Sequence, residues 1–195
     1  MKEAAGIGEA ALVEAIFDET IAVHQRTRNA LLPRVIEAAA AIRGAMGAGG
    51  KLLVFGNGGS AADAQHMAAE LVGRFMRERA ALAAIALTTD TSILTSIGND
   101  YAYERVFVRQ IEALGRPGDV ALGISTSGAS ANVLAALDAA HARGLRTIAL
   151  TGKDGGAIGK AASIHINVAE ASTARIQEVH LTVIHAICEL VERSL

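Results

Sequence analysis

Five short apolar runs, Leu52 to Phe55, Ala83 to Leu87, Val120 to Ile124, Thr147 to Leu150 and Ile164 to Val168, follow Gly47, Gly49 and Gly50 and alternate with segments of helical periodicity. A chain that alternates strand and helix in this way buries both faces of its strands as a parallel sheet with helices on each side. The expected fold is therefore α/β: a three-layer, doubly wound, mostly parallel five-stranded sheet flanked by helices. The intervening helices are expected at Ala61 to Phe75, Ala102 to Leu114 and Ala131 to Arg143, with a last one from Thr173 to Arg193. Upstream, Glu9 to Arg28 and Pro33 to Met46 read as two further helices, because Pro33 suits a helix start and Val35, Ala39, Ile42 and Met46 recur at helical spacing. Two helices ahead of the first strand exceed what sheet crossovers require. They are expected to pack on a neighbouring subunit as well as on the core.

Residues 1–195 fit one domain with a single sizeable core. Aromatic residues make up only 3% of the chain, so Ile, Leu, Val and Ala must build that core and stacking platforms for nucleic-acid bases are scarce. The 18 basic and 20 acidic residues are intermixed, with no charged stripe to track a phosphate backbone or an anionic membrane. This balance points to a small-molecule ligand rather than to nucleic acid or membrane. Cys188 is the only cysteine, which excludes an intrachain disulfide and a cysteine-based zinc cluster and fits a reducing, cytoplasmic setting. No stretch reads as a signal peptide or a membrane span.

Ligands of open parallel sheets sit beyond the carboxyl ends of the strands, so the turns after Phe55, Leu87 and Ile124 should carry function. The first is Gly56-Asn57-Gly58-Gly59-Ser60-Ala61, which satisfies G-x-G-x-x-A. A dinucleotide fingerprint is opposed by the absence of an acidic residue at the end of the second strand. A tight turn with no ligand is the plainest alternative. The helix that follows carries His66 and Glu70 one turn apart on one face, where an imidazole and a carboxylate can do proton chemistry or hold a metal.

The third strand runs into Ser125-Thr126-Ser127-Gly128-Ala129-Ser130, four hydroxyls and a glycine ahead of a helix. Backbone N–H groups and hydroxyls in such a turn can cradle a phosphate without a lysine; otherwise Ser130 merely caps the helix. A Walker motif is absent, since Gly152-Lys153 is followed by Asp154. Asn99 and Asp100 are expected in a loop before a helix, as a cap or as partners of sugar hydroxyls, and Lys153 to Gly156 as a turn. Gln177, His180 and His185 fall on the last helix. Gln177 and His185 are about 12 Å apart along a straight helix, so spacing alone does not make them one site.

Taken together, GNGGSAADAQH, TTDTSILTSIGNDY, GDVALGISTSGAS, LTGKDGG and RIQEVHLTVIH resemble, in order and spacing, the sugar isomerase (SIS) domain and within it the phosphoheptose isomerases. The resemblance covers nearly the whole chain. It implies an aldose–ketose isomerase that converts sedoheptulose 7-phosphate to D-glycero-D-manno-heptose 7-phosphate, the first step toward nucleotide-activated heptose. It further implies one zinc ion per subunit at His66, Glu70, Gln177 and His185, with Glu70 and His185 as acid/base residues. Substrate contacts are implied at Asn57, Gly58, Gly59, Ser60, Glu70, Asn99, Asp100, Ser125, Thr126, Ser127, Ser130 and Gln177, in a homotetramer with sites near subunit interfaces. The alternative within the same fold is a partner-binding protein similar to the DnaA initiator-associating protein, which lacks counterparts of Glu70 and His185. One departure from the enzyme family is Arg79 to Ala83, where prolines are common in relatives. It is expected to alter a loop and leave the site intact.

Overall fold

The computed structural model describes residues 8–193. The chain opens with α1 (Glu9–Gly47) and continues through β1 (Leu52–Gly56), α2 (Gly59–Val72), β2 (Ala84–Ala86) and α3 (Thr91–Asp100). A 3-10 turn (Tyr103–Arg105) and α4 (Val108–Leu114) lead to β3 (Val120–Ser125), α5 (Ala131–Ala142), β4 (Arg146–Gly152), α6 (Gly156–Ala161), β5 (Ile164–Val168) and α7 (Thr173–Glu192). All five strands are parallel, in the order β2-β1-β3-β4-β5. The chain leaves β1 toward β2 and then crosses back to β3, so the topological switch point lies between β1 and β3.

Side chains that alternate along each strand feed two separate apolar layers. Leu52, Val54, Val120, Leu122 and Ile124 pack with Ile42, Met67, Leu71, Val179 and Ile184 from α1, α2 and α7. Leu53, Phe55, Ala121 and Ala149 face the other way, onto Ile97, Phe107, Ile111, Val133, Leu137 and Ile158. Gly123 belongs to the second face, where a Cβ would come within 2.8 Å of Val133 and let α5 no closer. Fully burying each Leu or Ile of these layers contributes about 1.5–3 kcal/mol.

The N-terminal region is one helix of 39 residues, not two. A single buried stripe, Val23, Thr27, Leu31, Val35, Ala38, Ala39 and Ile42, runs through the expected break. Pro33 lies on the exposed side, so the Asn29 carbonyl that loses its N–H partner faces water. Packing of the stripe outweighs the roughly 3 kcal/mol that an interior proline costs. Side-chain bonds fasten α1 to α7: Thr20 Oγ1 donates to Glu178 (3.0 Å), Arg175 donates to Thr20 Oγ1 (2.6 Å) and to the Ile16 carbonyl (2.7 Å), and His24 pairs with Thr182 (3.0 Å).

A second correction concerns the segment after β2. Asn99 and Asp100 close the C-terminal end of α3 rather than preceding a helix, because the Asp90 carboxylate caps that helix by accepting from Ile93 N–H at 2.9 Å. The helix expected from Ala102 is split into the 3-10 turn and α4. Among the described residues, no helix is long and apolar enough to cross a membrane.

Two buried groups on α7 are chemically constrained. The Cys188 thiol is buried, and burial pushes it up to about 12. His180 is fully buried, its Nε2 3.0 Å from the Thr151 carbonyl at the end of β4 and its Nδ1 without a partner. The ring is therefore the neutral Nε2–H tautomer. Burial pulls its pKa down from 6.5 to about 4, with the Thr151 bond opposing. A base with a depressed folded-state pKa contributes stability that is complete above the unfolded value and is lost as pH falls through the folded value. In urea unfolding at fixed protein concentration, the wild type should therefore lose about 3 kcal/mol more stability between about pH 6.5 and pH 4 than His180→Gln does, the carboxylates contributing alike to both.

Candidate active site

The two turns at the switch point are built on glycines required either by close approach or by a left-handed backbone. At the end of β1, a Cβ on Gly56 would sit 2.8 Å from the Ile124 carbonyl and 2.8 Å from Ser60 Cβ. Gly58 takes φ +56, a left-handed conformation that favours glycine, and Ser60 N–H and Ala61 N–H bond back to Asn57 and Gly58 carbonyls at 3.0 Å. At Gly59 a Cβ would collide with the Gln177 side-chain amide, which places that α7 residue directly over the N-terminus of α2. Ser60 is buried beneath the turn. Asn57 is held by a reciprocal amide pair with buried Asn132 on α5, both bonds 2.9 Å, and its Oδ1 also accepts from Tyr103 Oη at 3.2 Å.

Farther along α2, His66 Nε2 lies 3.1 Å from Glu70 Oε1 and 3.1 Å from His185 Nε2 on α7. The two imidazole rings are 5.0 Å apart, and Phe75 lies against His185 at 5.4 Å. The structure thus brings together His66, Glu70 and His185 from two helices. His66 and Glu70 retain 40% and 25% side-chain exposure, so the cluster is open to a ligand. Gln177 makes no hydrogen bond to it and stands at the Gly59 end.

Among the described residues, no three His, Cys, Asp or Glu side chains form a finished metal cluster. The two spacings around His66, to Glu70 and to His185, are nevertheless close to the edge of a tetrahedral zinc site, about 3.3 Å for bonds of about 2.0–2.1 Å. Two imidazoles and a carboxylate are ordinary zinc donors, so the residues present fit the ion in chemistry.

The serine turn sits beside the first. Ser125, buried at the end of β3, has its Oγ 2.9 Å from Ser130 Oγ and 3.3 Å from Ser127 Oγ, while Ser127 Oγ accepts from Ala129 N–H at 3.2 Å. Ser130 stands at the N-cap of α5 but its side chain makes no cap bond. Its hydroxyl is turned into the cluster instead, so capping does not account for it. Gly128 (φ +66) and Gly156 (φ +54) press backbone to backbone, a Cβ on either would strike the other loop, and Ile158 N–H donates to the Gly128 carbonyl at 3.1 Å. Lys153 to Gly156 form the expected turn, with Lys153 at φ +55, and that turn braces the serine turn from the β4 side.

Asn99 and Asp100 stand apart from these groups. They are exposed and bonded to each other, Nδ2 to Oδ1, at 2.8 Å.

Three participants escape a reading of the motifs. Asn132 and Tyr103 hold Asn57, and no local pattern marks them. Asp63 precedes His66 by one turn of α2; its Oδ2 is buried without a hydrogen-bond partner, and burial raises its carboxyl to about 6 against the pull of His66. The spacing of Asp63, His66 and Glu70 on one helix face was the signal available for it.

This combination, a β1/β3 switch point with a glycine turn, a hydroxyl turn and an imidazole–carboxylate cluster, defines a sugar-phosphate isomerase of the SIS type. The family model of the SIS domain matches residues 15–152. A phosphoheptose isomerase of Roseiflexus sp. (strain RS-1) is 56% identical over 179 residues, 92% of this chain and 91% of the relative. The structure of the phosphoheptose isomerase from Neisseria gonorrhoeae superposes with a TM-score of 0.88 at 50% identity, covering 93% of this chain and 97% of that one. The corresponding enzyme from Francisella tularensis gives 0.92 at 37% identity, covering 96% and 100%. The chain belongs to the phosphoheptose isomerase family of SIS-domain proteins. It is an aldose–ketose isomerase, which decides against the partner-binding alternative.

Gly156→Ala puts a methyl group into the Gly128 carbonyl and strains a left-handed residue. It should lower the melting temperature and raise the inorganic phosphate concentration needed for half-maximal thermal protection by about tenfold, equivalent to about 1.4 kcal/mol, as read in a thermal-shift titration.

Proposed function

We propose that this isomerase interconverts sedoheptulose 7-phosphate and D-glycero-D-manno-heptose 7-phosphate, at the entry to nucleotide-activated heptose synthesis. The single observation that carries the reading is the apposition of Glu70, His66 and His185 beside two anion-ready turns at the switch point. The serine turn, through Ser125, Thr126, Ser127 and Ser130, takes the distal phosphate. Asn57, Gly58, Gly59, Ser60 and Gln177 face the reacting end, and Asn99 and Asp100, assigned to the chain hydroxyls, have to be brought from their separate position at the end of α3 to reach them. Binding energy far from the reacting carbons is thereby used to hold them in place.

Isomerisation moves one proton between adjacent carbons through an enediol and redistributes protons between the two oxygens. Glu70 removes the carbon-bound proton and returns it to the neighbouring carbon. His185 gives a proton to the carbonyl oxygen and accepts one from the hydroxyl, with His66 in contact with both groups. Zinc is assigned to His66, Glu70, Gln177 and His185, where it would polarise the carbonyl and stabilise negative charge on the enediol oxygens. Gln177 is the member of this set that has to leave its present position over Gly59. The reading includes a homotetramer, supported by exposed Leu12, Val13, Ile16, Phe17 and Ile21 on α1, and a cytoplasmic setting, supported by the lone buried cysteine.

Purified, zinc-supplemented protein should form the aldoheptose phosphate from sedoheptulose 7-phosphate in an NMR assay. Glu70→Gln, with unchanged circular dichroism, should lower the rate by about 10²–10⁴-fold. Wild-type turnover in that variant would sink the assignment of Glu70, and no product from the folded wild type would sink the substrate. Chelation should abolish turnover and zinc restore it, whereas full activity in protein verified as metal-free would remove the metal.

A further inference from the structure

The turn leaving α2 is tied down by two buried charges. Arg79 spreads its guanidinium over the end of that helix: Nη2 donates to the Glu70 carbonyl at 2.8 Å, and Nη1 to the carbonyls of Leu71 (2.9 Å), Gly73 (3.3 Å) and Ala80 (2.9 Å). Carbonyls in the last turn of a helix have no partner within it, and a cation there also suits the helix dipole. Glu192, the last residue of α7, accepts N–H bonds from Phe75 (3.0 Å), Met76 (2.8 Å) and Arg77 (2.9 Å). Arg79 Nε and Glu192 Oε1 are 3.4 Å apart, with side-chain exposures of 9% and 1%. Burial would raise the Glu192 carboxyl, but the three N–H bonds and the Arg79 charge hold it below the usual carboxylate value. One of the three residues whose N–H Glu192 grips is Phe75, and its ring rests on His185 at a centroid distance of 5.4 Å and an interplanar angle of 32°.

We propose that Arg79, Glu192 and Phe75 are positioning residues for the acid/base cluster. Glu192 sets the backbone of Phe75, Phe75 sets the plane of the His185 imidazole, and Arg79 holds the carbonyl of Glu70 so that the cluster keeps its spacing. The inference rests on the roles given above to Glu70 and His185 and adds the groups that orient them. A buried ion pair contributes little net stability, since apolar replacements often do as well. Its distinctive yield here is geometry, because one carboxylate and one guanidinium bond seven backbone groups of a single turn.

The test uses metal-free, histidine-labelled full-length protein, with the His185 ring protons assigned by their loss in His185→Gln. Phe75→Leu removes a ring current from His185 and should shift those resonances, leaving His24 and His141 unmoved. Glu192→Gln should shift them in the same direction although Phe75 is still present. If Glu192→Gln does not fold, Arg79→Lys, which keeps the charge and loses the fork, makes the same comparison. In the zinc-supplemented enzyme, Phe75→Leu should lower kcat about tenfold with KM changed less than about twofold, and Phe75→Tyr should restore kcat. His185 signals that ignore Glu192→Gln and Arg79→Lys, or an unchanged kcat in Phe75→Leu, would overturn the proposal. Shifted His185 signals in a protein whose wild type makes no product would leave the positioning intact and reject the proposed substrate instead.

Discussion

Five parallel strands whose order reverses after β2, so that the crossovers from β1 and from β3 run toward opposite edges, leave one gap in the roof of helices, between β1 and β3, and the candidate site of this chain depends on that gap. The strands on either side end in turns that leave the sheet and lead into the N-termini of α2 and α5, the helix ends that favour an anion. Glycine is what allows both turns to form there. Gly56 and Gly59 let β1 and α2 approach β3 and α7, and Gly128 meets Gly156 across the next crevice. The site is thus a by-product of sheet topology, sharpened by a few positions at which a Cβ does not fit.

The three elements that supply or flank the imidazole–carboxylate cluster, α2, α7 and the turn between α2 and β2, all lie on the α1 face of the sheet. The hydroxyl turn is supported from the opposite layer through α5 and α6. A ligand spanning the gap would therefore touch both apolar layers, with its charged end on one and its reacting end on the other. On the roles proposed above, this division separates the groups that hold a substrate from those that change it.

The strands and the two principal turns were readable in the chain because a buried parallel strand is a short apolar run and its turns carry glycine and hydroxyls. The break predicted at Pro33 was not real, since a proline's cost depends on which face it occupies and only the folded stripe from Val23 to Ile42 reveals that face. Asn99 and Asp100 were misplaced because the cap at Asp90 was passed over within a polar stretch. Asn132, Tyr103 and Arg79 were invisible for a different reason: the first two bond Asn57 and the third pairs with Glu192, and no local spacing encodes partners so distant in sequence. The Arg79 to Ala83 segment, expected to matter only as a loop, holds the cation on which the end of α2 depends.

Cys188 adds a consequence of another kind. Its thiol is buried on α7, in the apolar layer shared with α1 and α2, and is raised to about 12. Almost none of it is thiolate near neutrality, so an alkylating reagent meets no nucleophile while α7 is seated. The native chain therefore carries its own clock: the rate at which this sulfur becomes labelled reports how often the layer that α1, α2 and α7 form around it opens.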